Sequence, residues 1–574
     1  MRAEPSSLAE VRRLPPPDSA KERKRWQLWI VAAVVWCALV LLLNVSAAHA
    51  AQFPTSDQAS VVLEGQSLAD GNLLLHRWSL SLDSFWTSEV PFYGVASLFV
   101  GVNRLELTLV PAAIGAFVVG VAILISADGR RRAAASLAGA AVLAFLALPV
   151  HALARFTLVG GAHVGALLWS LIAFYALRKG RWGIGVIVAA LSLALGMLGD
   201  LLTVAYGTAP VLLAGVLAML RCRSSRSGLP AVTAAVGAVF LARSIRALAD
   251  LVGTFSIGGA NALATRHQIV SNLRHMFTIG GALLGVHNAY GTGGAPSWLQ
   301  ETHIAGAVLV VACALLYVVR LLAGLALGPS RALRPSATTT RPSDYAQPAL
   351  QPGWRSTRWW QPEPSGWQVE DMLFVGAIGG IASYVMLASS NNLAFARYLT
   401  AAVVFLVVLA ARTIGRGWDD AGGTKLRTGF TAAALALVVL FAADFTYTLT
   451  SRVSSQPAVA FARWLETRHL TNGVGAYWAS NIVTVASGDA VHVRPVKAID
   501  GKLRRYGRES TAAWYTGQEF SFVVYNRSQP AGGVSTKTAI AACGPLAETV
   551  TVDGYVVFVC LRPFTISASS DVLP

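Results

Sequence analysis

Long apolar runs recur along almost the whole of this chain of 574 residues, and they limit the folds it can adopt. A helix of about 20 apolar residues crosses the hydrocarbon core of a bilayer, which is roughly 30 Å thick. Because 54% of the residues are hydrophobic and only 13% are charged, one soluble core cannot bury so much apolar surface. We therefore expect an α-helical polytopic membrane protein, with about eleven transmembrane helices near residues 26–49, 104–126, 133–152, 161–177, 183–199, 205–220, 229–248, 302–325, 371–389, 397–413 and 429–449.

Basic residues cluster between these runs, in alternate connections. The clusters are Lys21–Arg25, Arg130–Arg132, Arg178–Arg181, Arg221–Arg223, an Arg-rich stretch at 326–370, and Lys425–Arg427. Cytoplasmic loops of membrane proteins are enriched in Lys and Arg. We therefore predict a multi-pass protein of the plasma (inner) membrane, with a cytoplasmic N-terminus and an extracytoplasmic C-terminal domain. These basic connections account for the net charge of +17. Because they do not form one contiguous basic face, we expect no nucleic acid partner.

Composition divides the chain into three parts. We expect a basic cytoplasmic N-terminus at residues 1–26, a transmembrane domain at 27–449 and an extracytoplasmic α/β domain at 450–574. The last part combines a helical pattern at Pro457–His469 with runs of strand-forming residues near 491–493, 520–525 and 555–559. Within the transmembrane domain we predict outer loops at 50–90 and 251–300, and a Pro- and Ser-rich cytoplasmic linker at 326–370.

Two features of this organisation leave alternatives open. Ala48-His49-Ala50 has the small-residue spacing of a signal-peptidase site, so the first span is either retained or cleaved. Cys543 and Cys560 both lie in the predicted outer domain. Outside the cytoplasm they either form a disulfide or remain two separate buried thiols.

The outer loop at 50–90 carries two bracketing carboxylates, Asp57 at its start and Glu89 at its end. Acidic residues at a bilayer surface are retained mainly where chemistry, ion binding or pairing needs them. From Asp57 to Asn72, apolar and polar residues alternate at helical spacing, which predicts a helix along the membrane interface. Asp57 and Glu64 would share one face of this helix, and we expect Glu64 to face solvent.

Other charged residues lie near the outer ends of predicted spans. Arg243 and Asp250 are candidates for an intramembrane ion pair, with Arg246 beside them. Charged residues at such depth usually face a cavity. Asp200 either lines that cavity or caps the next helix at Thr203.

The outer connection from Val252 to Gln300 carries several basic residues, among them Arg266 and His267. We expect there either a mobile lid that binds donor or metal, or a solvated loop. The histidine spacing is unlike that of a HExxH site and does not indicate zinc. The chain also lacks a GxxxxGK[ST] phosphate loop, which excludes the simplest ATP-driven functions.

Three short motifs carry a resemblance to a known family. They are Ser56-Asp57-Gln58-Ala59-Ser60 after the first span, Thr87-Ser88-Glu89-Val90-Pro91-Phe92-Tyr93 before the next, and Phe395-Ala396-Arg397-Tyr398-Leu399 at the start of a late span. With the multi-span body and outer C-terminal domain, the chain resembles the GT-C superfamily of membrane glycosyltransferases. Within it, the arrangement is similar to that of protein O-mannosyltransferases, lipid A aminoarabinose transferases and related actinobacterial proteins.

The resemblance implies roles for individual residues. The early loop acid of the superfamily is catalytic, which corresponds to Asp57, and the later acid supports the site or a metal, which corresponds to Glu89. Pro91 is a single proline where the superfamily usually has two, so the superfamily's backbone conformation does not carry over to Glu89. Arg397 is the implied contact for the donor phosphate. We add Arg243 as a second phosphate-binding candidate, and Glu64, Asp200, Arg266 and His267 as supporting candidates.

The chemistry of sugar transfer explains these residue types. A sugar hydroxyl must lose its proton as it attacks the anomeric carbon, and a positioned Asp can accept that proton. Negative charge on a departing lipid phosphate is stabilised by Arg or by a divalent metal ion, and the sequence leaves the metal open.

The leading hypothesis is therefore an inverting glycosyltransferase that takes sugar from a polyprenyl-phosphate donor at the outer face of the membrane. The acceptor would be a cell-envelope glycan or protein, and membrane lipid would surround the enzyme. The Ala-rich, Lys-poor composition is typical of a high-GC bacterium such as an actinomycete.

Two alternatives come from other functional classes. A membrane transporter or lipid/glycan flippase would use Asp57 and Glu89 as ion or substrate ligands. A non-catalytic envelope glycan-binding protein would use aromatic residues of the outer domain, namely Trp478, Trp514 and Tyr515, although core packing also suits these side chains.

Overall fold

The computed structural model describes residues 38–48, 55–222, 224–258, 262–286, 296–327, 368–388, 393–421, 423–450, 457–529 and 532–569. The predicted N-terminal segment 1–26, the first part of the first span, the signal-peptidase-like site and most of the linker at 326–370 lie outside these residues.

Most of the apolar runs form helices close to the predicted bounds. The helices are α1 (Ala38–Ala48), α2 (Ser56–Ala69), α3 (Val90–Val100), α4 (Glu106–Ala127), α5 (Arg132–Val142), α6 (His151–Thr157), α7 (Val164–Ala176), α8 (Ile184–Gly199), α9 (Ala209–Cys222), α10 (Leu229–Leu251), α11 (Arg266–Leu283), α12 (Ser297–Leu327), α13 (Val369–Val385), α14 (Arg397–Asp420), α15 (Thr424–Thr450), α16 (Pro457–Thr467), α17 (Asn481–Ala486) and α18 (Thr536–Cys543). Short π-helical segments follow α5 at Leu143–Ala147 and precede α9 at Val204–Thr208.

Within the described residues, six helices are long and apolar enough to cross a membrane. They are Glu106–Ala127, Val204–Cys222, Leu229–Leu251, Ser297–Leu325, Arg397–Asp420 and Thr424–Tyr447. A seventh span is formed if Arg132–Ala147 and His151–Thr157 count together, although the pair is bent by 86°. The helices α1, α3, α7 and α8 are apolar but shorter. The structure thus supports a polytopic helical fold, while the count of eleven spans is not confirmed.

Helix α14 is the most deeply buried of the six long helices, and it packs against α13, α5, α12 and α4. Charged groups inside this bundle are paired, as burial of a lone charge is costly. Arg412 on α14 donates to Glu370 on α13 over 3.0 Å, and Arg221 on α9 donates to Asp371 over 2.7 Å. The central position of α14 fixes its first residue, Arg397, at one end of the bundle.

The C-terminal part forms a mixed sheet, as the strand-like runs predict. Its strands are β3 (Asn472–Ala476), β4 (His492–Ile499), β5 (Lys502–Arg505), β7 (Phe520–Asn526), β8 (Leu546–Val552) and β9 (Tyr555–Phe564). Their order is β5-β4-β3-β7-β9-β8, with β3 parallel to β4 and to β7 and the other pairs antiparallel. Cys543 at the end of α18 is joined to Cys560 on β9, so the disulfide alternative is the one observed.

A second, three-stranded sheet connects distant parts of the chain. It consists of β1 (Trp78–Leu80) in the loop at residues 50–90, β2 (Ser256–Ile257) after α10, and β6 (Ser510–Thr511) in the C-terminal part. Strand β1 is parallel to β2 and antiparallel to β6. This small sheet therefore holds the C-terminal part against the loop that carries Asp57 and Glu89.

The connection between α10 and α12 differs from the prediction. We expected a loop or lid from Val252 to Gln300, but about half of its described residues form α11, an 18-residue helix. Its first turn is closed by a capping box, in which Thr265 and Gln268 satisfy each other's backbone N–H groups.

Candidate active site

A cavity of about 450 Å³ lies where α2, the first outer loop, the start of α14 and the C-terminal sheet meet. The bundle contributes Asp57, Asp83, His163, Arg397 and Tyr398 to its wall, and the C-terminal part contributes Tyr477, Trp478, Tyr506, Arg508 and Glu509. The wall therefore combines carboxylates, cations and aromatic faces in one place, drawn from both ends of the sequence.

Asp57 lies in the first turn of α2 and faces this cavity. A carboxylate is favoured there because the N-terminus of a helix carries partial positive charge. The hydroxyl of Tyr477 donates to Asp57 Oδ1 over 2.6 Å, and Arg397 Nη1 lies 3.7 Å from Oδ2. The side chain of Asp57 remains 37% exposed, so one edge of the carboxylate is open to a substrate.

Tyr477 is held in place by its aromatic neighbours. Its ring stacks on that of Tyr506, with centroids 4.9 Å apart, and meets Trp478 edge to face. Burial raises the pKa of Tyr477 well above its usual value, and the carboxylate of Asp57 adds to this effect. The hydroxyl therefore stays protonated and acts as a donor to Asp57 at neutral pH.

Arg397 approaches Asp57 from the first residue of α14. Its Nη1 also donates to the carbonyl oxygen of Gly161 over 3.5 Å, and its guanidinium lies 5.4 Å from the centre of the Tyr398 ring. The cation is 27% exposed. It is thus oriented by the protein and still accessible to an anionic group in the cavity.

Glu89 lies behind the cavity wall instead of on it. The residue is 1% exposed, and its carboxylate accepts hydrogen bonds from the backbone N–H of Gly161 over 2.8 Å and of Gly165 over 3.3 Å. Burial raises the pKa of Glu89, while these two donors oppose that shift. Glu89 therefore holds the turn that presents Gly161 and His163 to the cavity.

A group of three potential metal ligands adjoins Asp57. Asp83, His163 and Asp200 each offer one ligand atom, and these atoms lie within 4.8 Å of one another. His163 Nδ1 lies 2.8 Å from Asp200 Oδ2, whereas its buried Nε2 has no hydrogen-bond partner among the described residues. One imidazole and two carboxylates form a donor set that suits Zn²⁺ or Mn²⁺, so these residues fit a divalent cation.

The electrostatics of this group follow from its burial. Burial and the neighbouring Asp200 raise the pKa of Asp83 to about 6. Burial disfavours protonation of His163, but the carboxylate of Asp200 outweighs it and raises the pKa of the imidazole. Asp200 also accepts a hydrogen bond from the backbone N–H of Leu202 over 2.9 Å. Asp200 thus binds the backbone at Leu202 and also lies behind His163, and its capping of the next helix at Thr203 stays a prediction.

Glu64 differs most clearly from its prediction. We expected it to face solvent, but it is 1% exposed and packs between α2 and the C-terminal part. Burial, and then the neighbouring carboxyl of Glu509, raise the pKa of Glu64 well above its usual value. The prediction was wrong because the C-terminal part, more than 400 residues further along the chain, covers the face of α2 that carries Glu64. For example, Asn481 of the C-terminal part donates a hydrogen bond to Ser60 on α2 over 2.8 Å.

The remaining sequence candidates lie away from the cavity. Arg243 is exposed on α10, and Asp250 pairs with Arg246 over 3.0 Å, so the predicted Arg243–Asp250 pair was wrong. Spacing explains this, because residues four apart are neighbours on one helix face. Arg266 and His267 are exposed in the first turn of α11 and do not line the cavity.

Sequence reasoning missed several residues that line the cavity. Asp83 lies in the same loop as Asp57 and Glu89, and this position could have identified it as a candidate site residue. His163 lies two residues after the glycine pair Gly160-Gly161 and precedes an apolar helix. No local sequence pattern identifies Tyr477, Tyr506, Arg508 or Glu509 as site residues, because only the tertiary fold brings them to the cavity that Asp57 lines.

Comparisons with known proteins agree with this architecture. No protein-family model matches the chain, and no curated protein matches its sequence. The structure of ArnT from Cupriavidus metallidurans bound to undecaprenyl phosphate matches with a TM-score of 0.51 and 11% identity, over 95% of this chain and 99% of ArnT. The apo form of the same protein matches with a TM-score of 0.49 and 12% identity, over 92% and 98% of the two chains.

An oligosaccharyltransferase from Archaeoglobus fulgidus, tethered to an acceptor peptide, also matches, with a TM-score of 0.41 and 11% identity over 80% of this chain and 64% of that protein. Both neighbours are GT-C glycosyltransferases. At the level of the fold, the chain is similar to ArnT over nearly its whole length, which agrees with the resemblance inferred from the sequence.

Proposed function

We propose that this protein is a membrane glycosyltransferase that transfers a sugar from a polyprenyl-phosphate donor to a cell-envelope glycan or protein. The observation that carries the proposal is the position of Asp57, which faces a cavity on a GT-C fold with Tyr477 on one oxygen and Arg397 beside the other. The arrangement supplies a proton acceptor and a cation within one cavity, and both are required for sugar transfer.

In the proposed reaction, Asp57 acts as the general base. The acceptor hydroxyl gives its proton to the Asp57 carboxylate while its oxygen bonds to the anomeric carbon. The bond between that carbon and the phosphate oxygen breaks on the opposite face, so the configuration inverts. The lipid phosphate departs with the electron pair of the broken bond, and Arg397 stabilises its negative charge. Tyr477 fixes the orientation of Asp57 through its hydrogen bond to Oδ1.

Asp83, His163 and Asp200 would hold a divalent cation in this proposal. Such a cation supplies positive charge to the phosphate side of the cavity when it is bound. Glu89 acts indirectly, because it holds the turn that carries His163. In the proposed orientation, the cavity and residues 450–574 lie outside the cytoplasm, and the basic connections between spans lie inside.

The alternative functions receive less support. A transporter or flippase that used Asp57 and Glu89 as ligands would need both on one path, whereas Glu89 is enclosed behind the cavity wall. A glycan-binding surface of Trp478, Trp514 and Tyr515 would need the three side chains together. Tyr515 is 1% exposed and donates to Pro495 in the sheet core, and Trp514 does not line the cavity that Trp478 lines.

The test is transfer of radiolabelled sugar from a panel of polyprenyl-phosphate donors into membrane acceptors. Replacement Asp57→Asn should lower the transfer rate by about 10²- to 10⁴-fold, which is the usual contribution of a general base. Asp553→Asn is a matched control, because Asp553 is exposed on the turn between β8 and β9 and should leave transfer unchanged. Transfer at the wild-type rate by the Asp57→Asn protein would rule out this role.

A further inference from the structure

A second cavity, of about 420 Å³, lies beyond the far end of α2, and the proposed transfer reaction does not use it. Its wall includes Gln66, Ser67, Trp78, Arg494 and Trp514, so it lies between the first outer loop and the C-terminal sheet. With a rise of about 1.5 Å per residue, Ser67 lies about 15 Å from Asp57 along the α2 axis. The two cavities share no lining residue.

Arg494, on β4, is the charged residue most deeply buried in this wall. It is 8% exposed, and its guanidinium lies over the ring of Trp514, 4.4 Å from the ring centre. Among the described residues, no carboxylate lies within ion-pair distance of Arg494 and no oxygen accepts a hydrogen bond from its side chain. Asp489 also lines this cavity and acts on Arg494 through its charge, but its direct contact is with His492 Nε2 over 3.2 Å. Burial lowers the pKa of Arg494 to about 10, which leaves it charged at neutral pH.

A buried cation without a partner is costly, and a ligand anion in the cavity would relieve that cost. Arg is also the residue best suited to this purpose, because its planar guanidinium presents several N–H donors to a carboxylate or phosphate. Its stacking on Trp514 fixes the plane of the guanidinium before any ligand binds.

The other polar groups of the wall have unused hydrogen-bonding capacity. Ser67 Oγ accepts from Trp78 Nε1 over 3.1 Å and from Asn72 Nδ2 over 3.2 Å, so its own hydrogen is left to donate. Gln66 Nε2 donates to Asp70 over 2.8 Å, while the buried Gln66 Oε1 accepts from none of the residues that the structure describes. The wall thus offers the Ser67 hydrogen to a neutral hydroxyl group and has a buried, unpaired acceptor in Gln66 Oε1.

Aromatic surface completes the wall. Trp78 and Trp514 meet edge to face, with ring centres 5.0 Å apart. Rigid aromatic surface beside a few fixed donors and acceptors is the usual lining of a small-molecule site, and a cavity of this volume lies within the range of such sites. Hydroxyl-binding groups, aromatic surface and a cation together match a sugar that carries an acidic substituent.

We propose that this second cavity binds a saccharide bearing a carboxylate or a phosphate group, with Arg494 as the contact for that group. The site is separate from the cavity at Asp57. Its occupancy can therefore be measured whether or not the protein transfers sugar.

The test is direct binding to the full chain in lipid nanodiscs, by isothermal titration calorimetry. The probes are methyl glucuronide, glucose 6-phosphate, the neutral methyl glucoside and inorganic phosphate. We expect methyl glucuronide or glucose 6-phosphate to bind at least tenfold more tightly than methyl glucoside, and the better of the two identifies the acidic group. Inorganic phosphate should bind more weakly than either, because it has no sugar ring for the aromatic wall.

Variants connect this binding to the cavity. Arg494→Gln should weaken binding of the acidic sugar at least tenfold, Arg494→Lys should restore part of it, and Ser67→Ala should weaken it severalfold. The control Arg562→Gln, at an exposed position of β9 outside the cavity, should have no effect. The Ser67 variant keeps the test decisive if Arg494→Gln fails to fold.

Three results would overturn the proposal. They are absence of binding by both acidic sugars, binding that is unchanged by Arg494→Gln and Ser67→Ala, and binding of inorganic phosphate as tightly as the acidic sugars. The last result would indicate a simple anion site instead of a saccharide site.

Discussion

At the residue scale, the carboxylate of Asp57 is oriented by a residue from the other end of the chain. The Tyr477 hydroxyl donates to Oδ1, and the pairing joins residues 420 positions apart. This bond leaves Oδ2 facing Arg397 and the open cavity. A base oriented in this way loses little entropy when the acceptor hydroxyl binds, so Tyr477 is a positioning residue in the proposed reaction.

Replacement Tyr477→Phe should therefore lower kcat about tenfold and leave KM nearly unchanged. A hydrogen bond to a charged group contributes about 1.5–3 kcal/mol, and its lower limit corresponds to about tenfold in rate. The measurement is steady-state transfer with the donor that serves the wild type. Tyr525→Phe, on β7 away from the cavity, is the control. An equal loss in both variants, or a change in KM alone, would contradict a positioning role.

The sequence predicts the residues of this site unevenly. Asp57 and Arg397 could be identified because short local motifs surround them, and each lies in the first turn of its helix. The burial of Glu64 could not be predicted, because an amphipathic pattern does not indicate which partner covers a helix face. Asp83 and His163 are isolated in sequence, and only the fold brings them within 4.8 Å of Asp200.

At the element scale, the turn before α7 is the support on which the cavity depends. The Glu89 carboxylate accepts hydrogen bonds from the backbone N–H groups of Gly161, in this turn, and of Gly165, in α7. Helix α7 also lies very close to Ser88, in the loop before α3. A Cβ atom at position 165 would lie 2.5 Å from the carbonyl oxygen of Ser88 and 2.9 Å from Glu89 Cγ. Only glycine therefore permits this approach.

Replacement Gly165→Ala should destabilise the protein by about 1–3 kcal/mol, the usual cost of forcing an atom into a filled interior. The measurement is thermal unfolding in detergent. The matched control is Gly120→Ala on α4, where a Cβ atom would meet nothing within 4 Å and alanine favours the helix. Equal unfolding temperatures for the two variants would show that the approach of Ser88 to α7 is not a constraint.

The elements themselves were predictable to different degrees. Apolar runs predicted most of the apolar helices within a few residues, because bilayer thickness sets the length of a membrane-spanning run, but the count of eleven spans is not confirmed. Helix α11 was missed although its capping box, Thr265 with Gln268, is visible in the sequence. The strands β1, β2 and β6 have only two or three residues each, too few for a periodic pattern to reveal them.

At the scale of the whole molecule, the C-terminal part closes the cavity on α2. Besides Tyr477, Asn481 donates to Ser60 over 2.8 Å, and Arg505 donates to Ser79 over 3.0 Å. Glu509 accepts from the backbone N–H of Ser81 over 3.1 Å. The junction is polar and joins residues more than 400 positions apart, so no local pattern could have predicted it.

This junction contains two neighbouring carboxyls, Glu64 and Glu509, and it should make stability depend on pH. Burial raises the pKa of both groups in the folded protein. An acid with a raised folded pKa contributes stability that is fully present below its unfolded pKa, about 4.5, and is lost as pH rises toward the folded value. In that window each such group costs up to about 1.4 kcal/mol per pH unit.

Replacement Glu64→Gln removes one of the two titrating groups and keeps its shape. The variant should therefore unfold at a higher temperature than the wild type at pH 8, and the difference should shrink toward pH 5, because lower pH favours the protonated form of the wild-type carboxyl. The control Glu519→Gln changes an exposed carboxylate of the same domain and should follow the wild type at every pH. If the difference between Glu64→Gln and the wild type stayed constant from pH 5 to pH 8, the Glu64 carboxyl would not be titrating in the junction. The pH response of the domain contact would then have to arise from other groups.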